Sequence, residues 1–279
     1  MIERHFGEEG PPVPVIGQGT WRIDDSAHED AIAALRAGLD AGLTHIDTAE
    51  MYGGAKAVVA EAIAGRRDEV FLVSKVVPGN ASRRGVVAAC EASLRRLGTD
   101  HLDSYLLHWP GQHPIEETIA GFEALMGVGK ILSWGVSNFD VPDLEEALRV
   151  AGPGAIACNQ VPYHLKERAI EHEVLPWCRR NGIVVVGYSP FGSGDFPGPR
   201  TTGGRALAAI AARHDTTPYG VALAFLTRLE GTLTIPKTAT ASRALENAAA
   251  GEVTLDAGDL AAIEAAFPLG KRPRTLPMI

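Results

Sequence analysis

Short apolar runs recur along this chain at regular intervals, each separated from the next by a stretch with apolar residues at helical spacing. That alternation is the tightest constraint on its fold. The runs at 13–16, 43–47, 69–75, 102–107, 131–136, 155–160, 183–188 and 232–235 are expected strands. The segments 27–41, 55–64, 82–97, 115–126, 141–150, 171–180 and 219–229 are expected helices. Strands joined through helices run parallel. Eight such units in roughly 250 residues, with right-handed crossovers, predict a closed (β/α)8 TIM barrel, a single α/β domain over 1–279. An open doubly wound sheet is the alternative.

Punctuation supports these boundaries. Asp25-Ser26 offers an N-cap, Gly42 and Gly98 close helices, and Thr217-Pro218 sets a cap followed by proline in the first turn. Residues 189–204 hold five glycines and three prolines and are expected to form a long loop after the seventh strand, over bound ligand. The tail 267–279, with three prolines, is expected to lie irregularly over the barrel.

Composition excludes several functions. A net charge of −8 without a long basic run argues against nucleic acid as a partner. Cys90, Cys158 and Cys178 are odd in number and lack metal or disulfide spacing, so they read as core residues. The N-terminus has no apolar signal region, and no apolar run reaches the roughly 20 residues that span a bilayer. A soluble, cytoplasmic monomer with no membrane partner is expected. Familiar motifs also fail. Gly17-Gln18-Gly19 and Gly192-Ser193-Gly194 do not complete a dinucleotide fingerprint, Ala124 and Ile131 break a phosphate loop ending at Gly129-Lys130, and Ser137 lacks a nucleophile elbow. His28-Glu29 and His172-Glu173 have no second histidine at zinc-ligand spacing, so no metal is expected.

What holds is a set of residues at strand ends. In a barrel, residues at the C-terminal ends of strands converge on one rim. Asp47, Lys75 and His108 each end an apolar run, and Tyr52 lies one short loop beyond Asp47. A tyrosine is a poor acid at neutral pH, and a neighbouring ammonium from Lys75 favours its phenolate. A lysine buried at a strand end needs a counter-charge, which Asp47 supplies. His108 could hold a carbonyl oxygen against Tyr52. The set reads as a proton donor aimed at an oxygen, without nucleophile or metal.

A second cluster lies after the eighth strand. Residues 237–247 place Lys237, Arg243 and several hydroxyls at the start of a helix, where free backbone N–H groups favour phosphate. A 2′-phosphate would fit there.

The chain resembles the aldo-keto reductases almost from end to end. The resemblance rests on Gly17-Gln18-Gly19-Thr20-Trp21, Asp47-Thr48-Ala49-Glu50-Met51-Tyr52-Gly53, Lys75, Leu107-His108-Trp109-Pro110 and Gly135-Val136-Ser137-Asn138-Phe139. It continues through Asn159-Gln160-Val161, Tyr188-Ser189-Pro190 and Ile235-Pro236-Lys237-Thr238. It implies that Tyr52 is the general acid, that His108 orients the carbonyl, and that Lys75 with Asp47 tunes the tyrosine. It further implies that Ser137, Asn138 and Gln160 bond the nicotinamide amide, that Tyr188 stacks on its ring, and that Lys237, Thr238 and Arg243 grip the 2′-phosphate. Glu246 and Asn247 would hold the adenine, and Trp21, Trp109 and Met51 would wall the substrate pocket. The implied activity is reduction of aldehydes and ketones to alcohols with NADPH, leaving NADP+. Val161-Pro162-Tyr163-His164, the short segment after Trp109-Pro110 and the short tail resemble compact bacterial-type members. A nucleotide-sensing regulatory binding protein of the same fold is the alternative, and a barrel enzyme acting on sugar phosphates a weaker third.

Overall fold

Valine, isoleucine and leucine dominate the expected strands, and β-branched residues suit a pleated, buried surface. In the computed structural model, which describes residues 1–278, they build one parallel eight-stranded sheet. Its strands, in spatial order, are β3 (Gln18–Gly19), β4 (His45–Asp47), β5 (Phe71–Val76), β6 (Leu102–Leu107), β7 (Ile131–Ser137), β8 (Cys158–Pro162), β9 (Val184–Tyr188) and β10 (Thr232–Thr234). The two ends meet. Ile16 pairs in parallel with Thr234 and Gly19 with Lys237, and the Gly17 amide donates to the Thr234 carbonyl at 2.8 Å. The sheet therefore closes, which decides between barrel and open sheet.

Around it lie α1 (His28–Asp40), α2 (Ala55–Ala62), α3 (Arg83–Leu97), α4 (Ile115–Gly127), α5 (Val141–Ala151), α6 (Val174–Arg180), α7 (Thr202–Arg213), α8 (Pro218–Leu226), α9 (Ala241–Ala250) and α10 (Ala257–Ala266). Local chemistry sets their ends. The Ser82 hydroxyl caps α3 by accepting from the Gly85 amide, and Gly98 ends it in the left-handed conformation at φ 65°. Asp140 and Asp143 form a reciprocal capping box on α5. None of the described helices is long and apolar enough to cross a membrane.

Several expected boundaries shift. The run at 13–16 divides, its second half, Val15 and Ile16, running alongside Thr234 into the barrel and its first half leaving it. Pro12–Pro14 forms β2, antiparallel to β1 (Glu3–His5), and Gln18–Gly19 takes the barrel position. Prolines 12 and 14 lack the N–H that a central strand needs, so this segment suits a two-stranded ribbon. Asp25-Ser26 does not cap α1. Ile23–Asp25 is a 3-10 turn, and Ala27 occupies the cap position. The segment at 171–180 divides into a 3-10 turn at Ala169–Glu171 and α6.

The glycine-rich loop ends earlier than its composition suggests, because α7 begins at Thr202. A Cβ at Gly203 would stand 2.3 Å from the Phe267 ring and one at Gly204 would stand 2.0 Å from the Gly198 carbonyl oxygen. These glycines serve close packing, not chain flexibility. Helix α10 lies in a stretch with no assigned element. Its fully buried Asp259 accepts from Arg213 and bonds His214 at 2.6 Å, fastening α10 to α7.

Alternate residues of each strand face inward. Leu43, His45 and Asp47 therefore form one inward row, and Phe71, Val73 and Lys75 the next, with apolar residues low in the barrel and polar ones at its rim. The β1–β2 hairpin closes the lower end, where Phe6 packs on Phe71 at 4.6 Å between ring centres. His45 lies in this apolar floor, edge-on to Phe6 and Phe71, and neither ring nitrogen has a hydrogen-bond partner among the described residues. Burial pushes its pKa down to about 4, although Asp47 pulls it partly back up.

A histidine neutral in the fold but free to protonate once unfolded makes the unfolded chain bind more protons. Stability is then full above about pH 6.5 and falls as pH drops towards 4. Between pH 7.5 and 5 the expected loss from His45 is about 2 kcal/mol. Urea unfolding of His45→Leu at both pH values should show the acid-side decline reduced by that amount. An identical decline would show that His45 does not carry it.

Candidate active site

The rim of the barrel is built around two opposite charges taken out of water. Asp47 ends β4 and Lys75 lies one inward position from the end of β5, and both side chains are buried. Lys75 Nζ donates to Asp47 Oδ1 at 2.5 Å and to the Thr48 carbonyl at 3.0 Å. Gln160 Nε2, from β8 across the barrel, donates to Asp47 Oδ2 at 2.8 Å. Both carboxylate oxygens are thus occupied. Burial works against the ammonium, but the Asp47 carboxylate and the Tyr52 oxygen outweigh it, and the Lys75 pKa stands above the ordinary lysine value.

Tyr52 reaches the pair on the turn that follows β4. The Thr48 amide donates to the Val73 carbonyl and the Glu50 amide to the Lys75 carbonyl, both at 2.9 Å, so β5 holds the turn. The Glu50 carboxylate adds bonds to the Val77 amide at 2.9 Å and to Asn80 Nδ2 at 2.6 Å. Lys75 Nζ lies 5.1 Å from the centre of the Tyr52 ring. Burial raises the Tyr52 pKa above the usual tyrosine value, and the pull of Lys75 offsets this only in part. Lys75 is visible in the sequence, but the depth of burial that outweighs it is set only by the fold. The outcome is a phenol that keeps its proton at physiological pH.

His108 follows β6 and lies edge-on to Tyr52, 5.7 Å between ring centres. Burial, then the Lys75 and Lys56 charges, push its pKa down to about 3, so the imidazole is neutral. Its Nδ1 is buried and has no hydrogen-bond partner among the described residues. A buried N–H without an acceptor is costly, which places the proton on Nε2.

The next strand ends add amides and an aromatic ring. Asn138 follows β7 with a left-handed backbone, φ 61°, a conformation asparagine tolerates. Its Nδ2 donates to the His108 carbonyl and to Ser137 Oγ, each at 3.0 Å, and its Oδ1 accepts from the Tyr188 hydroxyl at 2.9 Å. One asparagine therefore ties the ends of β6, β7 and β9. Asp47, Tyr52, His108, Ser137, Asn138, Gln160, Tyr188 and Lys237, together with Trp21, Met51 and Trp109, line one cavity of about 400 Å³, while the fully buried Lys75 lies behind Asp47 and does not line it.

Beyond Lys237 the chain enters α9. Thr240 occupies the cap position without a side-chain bond, and no acid lies in the first turn, so the free amides suit an anion. Lys237 and Arg243 are exposed and make no ion pair among the described residues. Thr238 and the buried Asn247 line a neighbouring cleft with Gly17, Gln18 and Gly19. Here glycine is required, because a Cβ at Gly19 would stand 2.7 Å from the Ile235 carbonyl oxygen. Arg243 and Glu246 lie exposed on α9 and line neither hollow. The donors fit a phosphate-bearing ligand running from the cavity to α9.

Sequence reasoning missed Met278, Ser189 and Thr20, which also line the cavity. Thr20 was signalled by its place after Gly17-Gln18-Gly19. Met278 had no signal beyond belonging to the tail, which does lie irregularly over the rim as expected.

Comparisons with known proteins agree with this geometry. The model of the Aldo/keto reductase family matches residues 15–267. Methylglyoxal reductase YeaE of Escherichia coli is 45% identical over 96% of this chain and 95% of its own length. Glyoxal reductase of Bacillus subtilis is 32% identical over 95% of this chain and 91% of its own. The crystal structure of an aldo-keto reductase from Klebsiella pneumoniae in complex with NADPH superposes with a TM-score of 0.93, at 42% identity and complete coverage of both chains.

The buried pair should behave as a unit. Asp47→Asn leaves the Lys75 charge uncompensated and should cost roughly 3–5 kcal/mol of stability. In urea unfolding, Asp47→Leu combined with Lys75→Met should cost less than the two single changes summed. Strict additivity would contradict the pairing.

Proposed function

The chain belongs to the aldo/keto reductase family, and we propose that in it Tyr52 protonates a substrate oxygen that His108 holds in place. The protein is an NADP(H)-dependent oxidoreductase that reduces carbonyl groups to alcohols. NADPH, when bound, supplies the hydride. This chain's residues do the rest. The neutral Nε2–H of His108 donates to the carbonyl oxygen and turns it towards the Tyr52 hydroxyl. Tyr52 gives up its proton as negative charge develops on that oxygen, and the Lys75 ammonium stabilises the phenolate left behind. Asp47 keeps Lys75 charged. The observation that carries this reading is the pairing of two neutral donors, Tyr52 and His108, above a buried ion pair at the cavity.

The residues also suit the cofactor. Ser137, Asn138 and Gln160 are hydrogen-bonding groups for a carboxamide, and the Tyr188 ring, held by its bond to Asn138, offers a stacking face. Lys237, Thr238 and Arg243 surround the uncapped start of α9 and would hold a 2′-phosphate, with Glu246 and Asn247 at the adenine. Trp21, Met51 and Trp109 make the substrate side apolar, and the cavity suits small carbonyl compounds. The relatives' names direct us to small 2-oxoaldehydes as the substrate class. We propose that the protein acts as a monomer, with Asp47, Tyr52, Lys75 and His108 meeting at the rim of a single barrel. The free buried thiols of Cys90, Cys158 and Cys178 support a cytoplasmic setting.

Tyr52→Phe should lower kcat by about 10²–10⁴-fold while leaving NADPH affinity, read from tryptophan fluorescence, unchanged. Turnover equal to the parent's would overturn the assignment of Tyr52. Arg243→Ala should weaken NADPH binding about ten-fold and leave NADH binding nearly untouched, since only NADPH carries the 2′-phosphate. Equal losses for both would remove Arg243 from that role.

A further inference from the structure

Lys56 is a buried lysine that the reaction described above does not use. It sits in the first turn of α2, and its side chain is 2% exposed. Its ammonium donates to the carbonyl oxygen of Ala49, the same oxygen that accepts the Tyr52 amide at 3.2 Å. That oxygen lies midway along the turn between Asp47 and Tyr52. Unlike Lys75, Lys56 has no ion pair among the described residues. The nearby carboxylates are committed elsewhere, Asp47 to Lys75 and Gln160, Glu50 to the Val77 amide and Asn80. The charged and titratable groups around it are Lys75 on β5, Arg96 on α3, Glu50 and Asp47 before Tyr52, and His108 after β6.

We propose that Lys56 is a positioning residue whose charged bond to the Ala49 carbonyl holds the turn that aims Tyr52, so that losing its proton loosens that aim. The inference rests on the role given to Tyr52 above. A charged donor binds a carbonyl about twice as strongly as a neutral amine. The site also favours loss of the proton, for burial first, then the Lys75 and Arg96 charges, bring the Lys56 pKa down to about 7 against the weaker opposing pull of Glu50 and Asp47. The anchor should therefore weaken within the physiological pH range. The Asp47–Lys75 pair should stay charged throughout.

The test measures kcat for a small 2-oxoaldehyde at saturating NADPH from pH 5.5 to 9, in the parent, Lys56→Arg and Lys56→Met. The parent's kcat should fall roughly five-fold through an inflection near neutrality. Lys56→Arg should hold the acid-side value across the range, and Lys56→Met should be flat at the lower value. NADPH affinity should be the same in all three. A Lys56→Met variant with the parent's kcat and inflection overturns the proposal. A second measurement needs no turnover. The chain has six lysines, so 13C-labelled lysine NMR of the unaltered protein can resolve each titration, with Lys56 assigned by its absence in Lys56→Arg. One lysine should titrate near neutrality, and the Ala49 and Tyr52 amide resonances should move with the same midpoint. Amides that stay still while Lys56 titrates, or a Lys56 that titrates near 10, would overturn the proposal whether or not the enzyme turns over. A parent with no activity towards any carbonyl would instead contradict the reading of Tyr52.

Discussion

The contact between Asp47 and Lys75 is the constraint on which the site depends. Each charge alone would be expensive to keep out of water, and each is retained because the other is 2.5 Å away. The pair needs neighbouring parallel strands whose register sets Asp47 beside Val73, one inward position before Lys75, inward rows of matching phase, and a second donor from β8 for the remaining carboxylate oxygen. A closed barrel supplies all three. Its apolar floor, from Phe6 and Phe71 up through Val73 and Leu106, keeps water from below. Its rim leaves the pair within reach of groups carried on loops.

Around that pair, protonation states are set by opposing effects of unequal size. Burial raises Tyr52 more than Lys75 lowers it, so the phenol holds its proton at physiological pH. Burial and Lys75 act in the same direction on His108, so the imidazole remains a neutral donor. One lysine thus has two consequences. It would support the phenolate left by the proton transfer proposed for Tyr52, and it helps keep the neighbouring histidine from becoming a cation. Asn138 adds the mechanical counterpart, because its side chain joins three strand ends and a left-handed backbone lets it reach them.

Much of this was legible in the sequence, for identifiable reasons. Asp47, Lys75 and His108 end apolar runs, and in a parallel barrel strand ends share one rim, so their convergence needed no knowledge of distance. The bond from Gln160 to Asp47 was hidden because it spans 113 positions and depends on which inward residues meet across the barrel. Helix α7 was hidden by Gly203 and Gly204, which read as loop residues until Phe267 and the Gly198 carbonyl are seen pressed against them. The β1–β2 hairpin was merged with the first strand because Val13, Val15 and Ile16 are apolar in either setting. The balance at Tyr52 was also out of reach, since the sequence names the lysine but not the depth of burial. The residue-level agreement with the aldo-keto reductases filled the gap between an acid–base site and a reaction.

The central claim is that Tyr52 is a protonated phenol held in reserve beside a permanently charged lysine. It is tested most directly by a 13Cζ-tyrosine NMR titration of the unaltered protein, with the Tyr52 signal identified by its loss in Tyr52→Phe. The expected result is a Tyr52 signal that remains that of a neutral phenol up to about pH 10, the ordinary tyrosine value. A phenolate signal at Tyr52 below pH 9 would contradict the account, because Lys75 would then outweigh burial and the residue would rest as a base.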